Sequence, residues 1–329
     1  MDQSMITRRM ALKMLGGSAL AAAVPAGVRA QGKEPLRFGI QTTLWAAIAM
    51  VAEAEKMWDK AGVNVVVNKF DSGANARDAM IGGKIDIVSI GATPFIIGVA
   101  KSDLVGFAMS CYAGSTLSLV AGKKSGIKSV ADLKGRKIAS QLGSQTDYVF
   151  QNKIAPAFGL KPTDFEVINT KFADHISALA SGSVDAFAGV EPSPSVAEVE
   201  GLGTVLTDYS KYDIVPVMLA TNNTVLKQRQ EDLVKFMRGW MMAVDLTRKD
   251  LKKAAHLVGE FFRARGNTIK DEVLQVAMKR MDITPDYRPE LKTYLTELSE
   301  TQVKNKRLSE VPDIDRALNR QIQQRVARA

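Results

Sequence analysis

The sequence predicts an α/β fold of two lobes, with mostly parallel sheets flanked by helices and a helical C-terminal region. Three observations predict it. Residues 79–86, Ala-Met-Ile-Gly-Gly-Lys-Ile-Asp, are echoed 99 residues later by residues 178–185, Ala-Leu-Ala-Ser-Gly-Ser-Val-Asp. Around each copy the chain alternates strand, helix, strand, helix, strand, the order that builds α/β layers. From Asn223 on, apolar residues fall at helical spacing instead.

In the first copy Leu36 to Ile40 is a short apolar strand that breaks at Gln41-Thr42-Thr43. A helical pattern runs from Trp45 to Ala61, and Val63 to Val67 is the next strand, ending near Asp71-Ser72-Gly73. The helix after it stops at Gly83, where glycine takes a left-handed cap at little cost. A buried strand and turn follow, Ile87 to Pro94. In the second copy Lys137 to Ala139 is the strand, Gly143-Ser144-Gln145-Thr146 the turn, Asp147 to Phe158 the helix and Phe165 to Ile168 the next strand. The helix that ends at Gly182 leads into Ala186 to Pro192. Helices are then expected over Thr224 to Thr247, Asp250 to Arg265, Lys270 to Met281, Glu290 to Lys304 and Asp313 to Arg328.

The first 30 residues read as an export signal. Arg8, Arg9 and Lys13 supply a positive end, Met14 to Val28 an apolar stretch too short to span a bilayer, and Val28-Arg29-Ala30 small residues for cleavage before Gln31. The paired arginines before Leu12-Lys13 fit twin-arginine export. This places the mature chain in the periplasm. Its 299 residues suit one large domain or two medium lobes, and the net charge of +9 falls to +6 with the signal removed. The remaining basic excess has no tail, zinc pattern or aromatic interleaving, so nucleic acid is not the expected partner. The single cysteine, Cys111, excludes an intrachain disulfide and reads as a buried thiol within an apolar stretch.

In parallel sheets ligands sit outside the carboxyl ends of the strands. Those ends carry the candidate ligand-binding residues Gln41, Thr42, Thr43, Trp45, Ser72, Gly73, Thr93, Ser115, Gly143, Ser144, Gln145, Thr146 and Glu191. Several precede helix starts, whose unpaired N–H groups suit an anion. Each Ser or Thr there also suits a plain N-cap, and Trp45 suits either the core or a ligand wall. Glu191 stands where the other copy has Ala92, so the repeat does not require it; it is available for a ligand amine or for guarding the cleft. Asp86 and Asp185 repeat with the helix–strand corner and read as structural. His175, near a helix start, reads as a cap or surface group. No metal or cofactor motif, phosphate loop or nucleophile elbow is present in the sequence.

Four stretches carry a resemblance. They are Leu36 to Ile40; Phe70-Asp71-Ser72-Gly73 running to Gly83-Lys84-Ile85-Asp86 and Gly91; Asp132 to Ala139 followed by Gly143-Ser144; and Ala178-Leu179 with Gly182 to Ala186. In these the chain resembles the substrate-binding proteins of nitrate, sulfonate and taurine ABC importers, grouped with the thiamine-precursor-binding type, over about residues 35–245. The resemblance implies a type II periplasmic binding fold. Its first lobe would hold residues 31–114 and 216–329 and its second residues 115–215, with hinges near Ser110 to Val120 and Tyr212 to Thr221. It implies closure around one small organic anion, with Ser144 contacting the acidic head, a membrane permease as partner, no cofactor and a monomeric state. Trp45, Phe95, Tyr112 and Tyr148 would leave room for an aromatic ligand. The alternatives are a desulfinase on the same scaffold or a binding partner of a sensor. Desulfinases of this fold carry a cysteine nucleophile near the first strand, where this chain has none.

Overall fold

The computed structural model describes residues 34–327. The expected export signal, its paired arginines and the cleavage after Ala30 lie outside the described residues. Residues from Glu34 on form one compact unit containing two five-stranded sheets.

The chain opens with β1 (Leu36–Gln41), a 3-10 turn (Leu44–Ala46), α1 (Ala47–Ala54), α2 (Met57–Lys60), β2 (Val65–Phe70), α3 (Gly73–Ile81), β3 (Ile87–Gly91), α4 (Ala92–Lys101) and β4 (Leu104–Tyr112). A crossing follows and becomes β5 (Leu117–Gly122). The second lobe continues through β6 (Lys137–Ser140), α5 (Gln145–Val149), a π turn (Phe150–Ile154), α6 (Ala155–Ala157), β7 (Glu166–Asn169), α7 (His175–Ser181), β8 (Ala186–Val190), α8 (Ser193–Val199) and β9 (Gly203–Asp208). A second crossing returns the chain to β10 (Pro216–Asn222).

The sheets share one plan, β2-β1-β3-β10-β4 and β7-β6-β8-β5-β9. In each, three neighbouring strands are parallel and the fourth in order is antiparallel to both its neighbours. Those reversed strands, β10 and β5, are where the chain enters a lobe from the other one. Each sheet therefore presents four strand C-termini and one entering N-terminus to the junction.

The repeat seen in the sequence is a structural clamp. Asp86 N donates to the Arg37 carbonyl at 2.8 Å, and the Asp86 carboxylate accepts from Arg37 N at 2.8 Å. Asp185 does the same to Lys137, at 2.9 Å. Each aspartate pins the start of its parallel strand pair, after a glycine with φ of +66° at Gly83 or +73° at Gly182. A side chain with a Cβ would be strained at either turn.

Helices complete the chain: α9 (Asn223–Gln228), α10 (Gln230–Lys249), α11 (Leu251–Arg263), α12 (Asp271–Lys279), α13 (Leu291–Lys304), α14 (Ile314–Ala317) and α15 (Gln321–Ala327). Helix α10 shows why they form. Leu233, Phe236, Met237, Trp240, Ala243 and Val244 are buried at helical spacing. Glu231 and Asp232 sit in the first turn and Arg248 and Lys249 in the last, matching the helix dipole. Phe236 stacks on Trp58 at 5.4 Å and meets Phe38 edge-on at 5.0 Å, which docks α10 onto α2 and β1. Among the described residues no helix is long and apolar enough to cross a membrane.

Several boundaries differ from the sequence expectation. The Trp45–Ala61 helix breaks at Lys56, φ +52°, which turns Met57 and Trp58 into the core. The Thr224–Thr247 helix breaks at Arg229, whose guanidinium holds the Glu34 carbonyl at 2.6 Å and Asp232 at 3.0 Å. The last helix splits because Asn319 N donates to the Gly106 carbonyl, drawing the chain along the outer edge of β4. This covers an otherwise open sheet edge. Much of the two windows expected as hinges is strand, since β5 begins at Leu117 and β10 at Pro216. His175 is fully buried rather than a cap or surface group; its ring lies 5.2 Å from Phe187, and burial lowers its pKa to about 4.

Candidate functional site

Three helix starts of the first lobe reach the junction. The turn after β1 opens the 3-10 turn and α1, Ser72 caps α3, and Gly91 precedes α4. Proximity is fixed by packing. A Cβ on Gly73 would lie 3.0 Å from the Gln41 amide nitrogen and 2.9 Å from Pro94 Cγ, so the β1, α3 and α4 turns form one wall. Thr93 stands beside Pro94 on that wall, half-buried; Gln41 and Thr42 are half-buried and Thr43 exposed. The Ser72 hydroxyl accepts from Asn75 N at 3.2 Å, an N-cap that leaves its own hydrogen free to donate.

The second lobe contributes the start of α5. Gly143 is exposed, and Ser144 and Gln145 are half-buried. The Ser144 hydroxyl caps Asp147 N at 3.1 Å. Exposed Leu142 and Tyr148 flank this turn. Phe95 and Tyr112, expected as possible ligand walls, are buried core residues, which leaves Trp45 and Tyr148 as the accessible rings of that set.

The crossings join the walls. Trp45 Nε1 donates to Thr116 Oγ1 at 2.9 Å, tying the first-lobe turn to the outgoing crossing. Gly114 lies so close to the returning crossing that a Cβ would meet the Asp213 carbonyl at 2.2 Å. The returning crossing holds Val215 at φ +41°, a conformation that strains a β-branched residue by about 1–3 kcal/mol.

The candidates Ser115, Gln145, Thr146 and Glu191 are buried or bonded inside the protein, Gln145 Nε2 donating to Asp213 at 3.3 Å. Ser115 Oγ donates to the Arg280 carbonyl at 2.5 Å, and Thr146 is buried. The fully buried Glu191 carboxylate receives Arg280 Nη1 at 2.5 Å and Ser195 N at 3.2 Å. Burial pushes the Glu191 pKa up and the guanidinium offsets this in part; Arg280 is held above its usual value by Glu191 and Glu198 against its own desolvation.

Sequence reasoning missed Lys153, Asp213, Arg280 and Tyr294. Arg280 joins α12 to α8 through Glu191 and Glu198. Lys153 contacts Asp213 at 2.8 Å, and Tyr294 donates to the same carboxylate at 2.8 Å. These pairs lie 60–89 positions apart in the chain, and no local pattern announces them. Arg288 is likewise occupied, paired with Asp282 and lying 4.3 Å from the Tyr112 ring. Lys153, Arg280 and Arg288 are thus matched to carboxylates, and the neutral groups offered to an anion are helix-start N–H groups, hydroxyls and the Gln41 amide. Such an array carries about half a positive charge per helix start.

Cys111 lies within β4, fully buried, its thiol pushed up to about 12 by desolvation. It is not a nucleophile in this setting. Among the described residues no group of three or more His, Cys, Asp or Glu side chains could hold a metal ion.

A model of the NMT1-like family matches residues 29–258. A putative aliphatic sulfonates-binding protein of Escherichia coli is 33% identical over 53% of this chain and 55% of its own length. The chain thus spans little more than half of that relative. A putative aliphatic sulfonates-binding protein of Bacillus subtilis is 27% identical over 68% of this chain and 69% of its own length. The crystal structure of the periplasmic aliphatic sulphonate binding protein from Escherichia coli superposes with a TM-score of 0.74 at 23% identity, covering 86% of this chain and 97% of that one. This likeness shows the two-lobed periplasmic binding protein fold.

Proposed function

The chain belongs to the NMT1-like family, and from that premise we propose that it is the extracytoplasmic solute-binding component of an ABC importer, capturing a small organic anion between its lobes. One observation carries the reading. Helix starts stand at the strand ends of both lobes, beside crossings where Lys153 and Arg280 are already paired with carboxylates, and offer N–H and O–H donors. A sulfonate spreads one charge over three oxygens and suits several such N–H and O–H donors at once. The aliphatic sulfonates-binding relatives support this ligand class. The proposed contacts are Gln41, Thr42, Thr43, Ser72, Gly73, Thr93, Gly143 and Ser144, with Trp45 and Tyr148 beside the organic part.

The proposal extends to location and partners: export by the twin-arginine segment, cleavage after Ala30, action as a periplasmic monomer and delivery to a membrane permease. Closure around the ligand would be a hinge motion at the crossings, driven by tighter binding to the closed form. The desulfinase reading is not favoured, because Cys111 is buried inside a strand.

Thermal-shift screening of the mature chain tests the ligand class. A sulfonate present at about 100 times its dissociation constant should stabilise the protein by about 2.7 kcal/mol. If alkanesulfonates, taurine, nitrate and aromatic acids all leave the melting temperature unchanged, the proposal fails.

A further inference from the structure

We propose that Asp213 is an interlobe latch that positions the ligand-facing start of α5, an inference that rests on the junction being the ligand site. The Asp213 side chain is 1% exposed and gathers groups from three parts of the chain. From the second lobe come Lys153 Nζ at 2.8 Å and Gln145 Nε2 at 3.3 Å, both on Oδ2. From α13, which packs beside α4 of the first lobe, comes the Tyr294 hydroxyl at 2.8 Å on Oδ1. From the crossing itself comes Val215 N at 2.9 Å, also on Oδ1. Gln145 donates to Tyr294 as well, at 3.4 Å, and Lys153 lies 5.9 Å from the Tyr294 ring.

One carboxylate thereby holds the second lobe, the first-lobe side and the strained residue of the returning crossing. Gln145 is the first residue of α5, next to the Ser144 cap, so the latch grips the same helix start that is offered to the ligand. Lys153 reaches Asp213 from the π turn, a widened helical turn of the kind often found at functional positions. Burial and the adjacent carboxylate hold the Tyr294 hydroxyl well above its usual pKa, so it remains a donor. Hydrogen bonds to a buried charge are the stronger kind, and they fix geometry as well as energy.

Spin labels at Ala74→Cys in α3 and Ala173→Cys beside α7, both exposed, read the interlobe distance in ligand-free protein; Cys111, fully buried, stays unlabelled. The latch predicts one narrow distance distribution. Asp213→Asn and Lys153→Met should each raise the share of other lobe placements by about tenfold, as loss of one charge-assisted hydrogen bond implies. Tyr294→Phe, which keeps the ring and removes one hydrogen bond, should give a smaller change in the same direction and guards against a variant that fails to fold. Distributions unchanged in all three variants, even with lowered melting temperatures, overturn the proposal and reduce the cluster to a structural one. The readout needs no ligand, so its failure is distinct from a failure to bind sulfonates.

Discussion

Replacing Arg280 with Met would expose how the C-terminal helices are tied to the second lobe. The Glu191 carboxylate is fully buried; among the described residues Arg280, at 2.5 Å, is its one charged partner, and Ser195 N donates to it at 3.2 Å. Removing one member of a buried pair leaves an uncompensated charge, at a cost of about 3–5 kcal/mol. Glu198, a third exposed, also loses a partner, but that contributes little. The pH dependence follows from the sign of the shift. Burial already raises Glu191 and Arg280 opposes that rise, so the variant raises it further. A raised carboxyl keeps its proton in the folded state where the unfolded chain has lost it, so the variant loses stability as pH rises through the folded value. Urea unfolding followed by tryptophan fluorescence should give a deficit of about 3–5 kcal/mol at pH 8. At pH 5 it should shrink toward the roughly 1–2 kcal/mol of the lost hydrogen bonds. Adding Glu191→Gln to the variant should recover most of the loss at pH 8. A deficit below about 1 kcal/mol at pH 8, or an equal deficit at both pH values, would refute this account of the pair.

Three further outcomes are expected. Ser144→Ala should lower stability by about 0.5–2 kcal/mol through the lost cap, and should weaken sulfonate binding by about tenfold through the lost donor; unchanged affinity in calorimetry would remove Ser144 from the site. A thiol reagent should leave Cys111 unmodified in the native protein at pH 8 and modify one equivalent in urea; rapid native modification would contradict its burial. His175 is depressed to about 4 by burial. Its contribution is therefore complete above the ordinary value near 6.5 and is lost as pH falls toward 4, about 3 kcal/mol in all. In His175→Leu that loss between pH 7 and pH 4 should shrink, and an unchanged acid slope in urea unfolding would count against it.

What could be read from the sequence was what repeats locally. Gly83 and Gly182, Asp86 and Asp185, and the turns around Gln41 and Ser144 each carry their signal within a few residues. The structure gives them matching roles at strand starts and helix starts. The reversed strands β5 and β10 were harder to see, because their direction depends on how the chain passes between lobes and not on side-chain periodicity. The helix breaks at Lys56 and Arg229 are imposed by tertiary packing, through burial of Trp58 and the hold of Arg229 on Glu34. The links made by Asp213 and Arg280 were illegible for the same reason: their partners are brought together only by the completed fold. Glu191 stood out because its repeat mate is Ala92, and the structure accounts for that difference with Arg280, a residue the repeat does not contain.

The central claim is that helix starts from both lobes hold a small organic anion, and a crystal structure grown with an alkanesulfonate tests it most directly. The account predicts the sulfonate at the junction, its oxygens within about 3 Å of donors from the Gln41–Thr43, Ser72–Gly73 and Gly143–Ser144 turns, with Trp45 or Tyr148 along the alkyl chain. A sulfonate bound on one lobe alone, away from these turns, or held chiefly by a cation freed from its carboxylate, would contradict it.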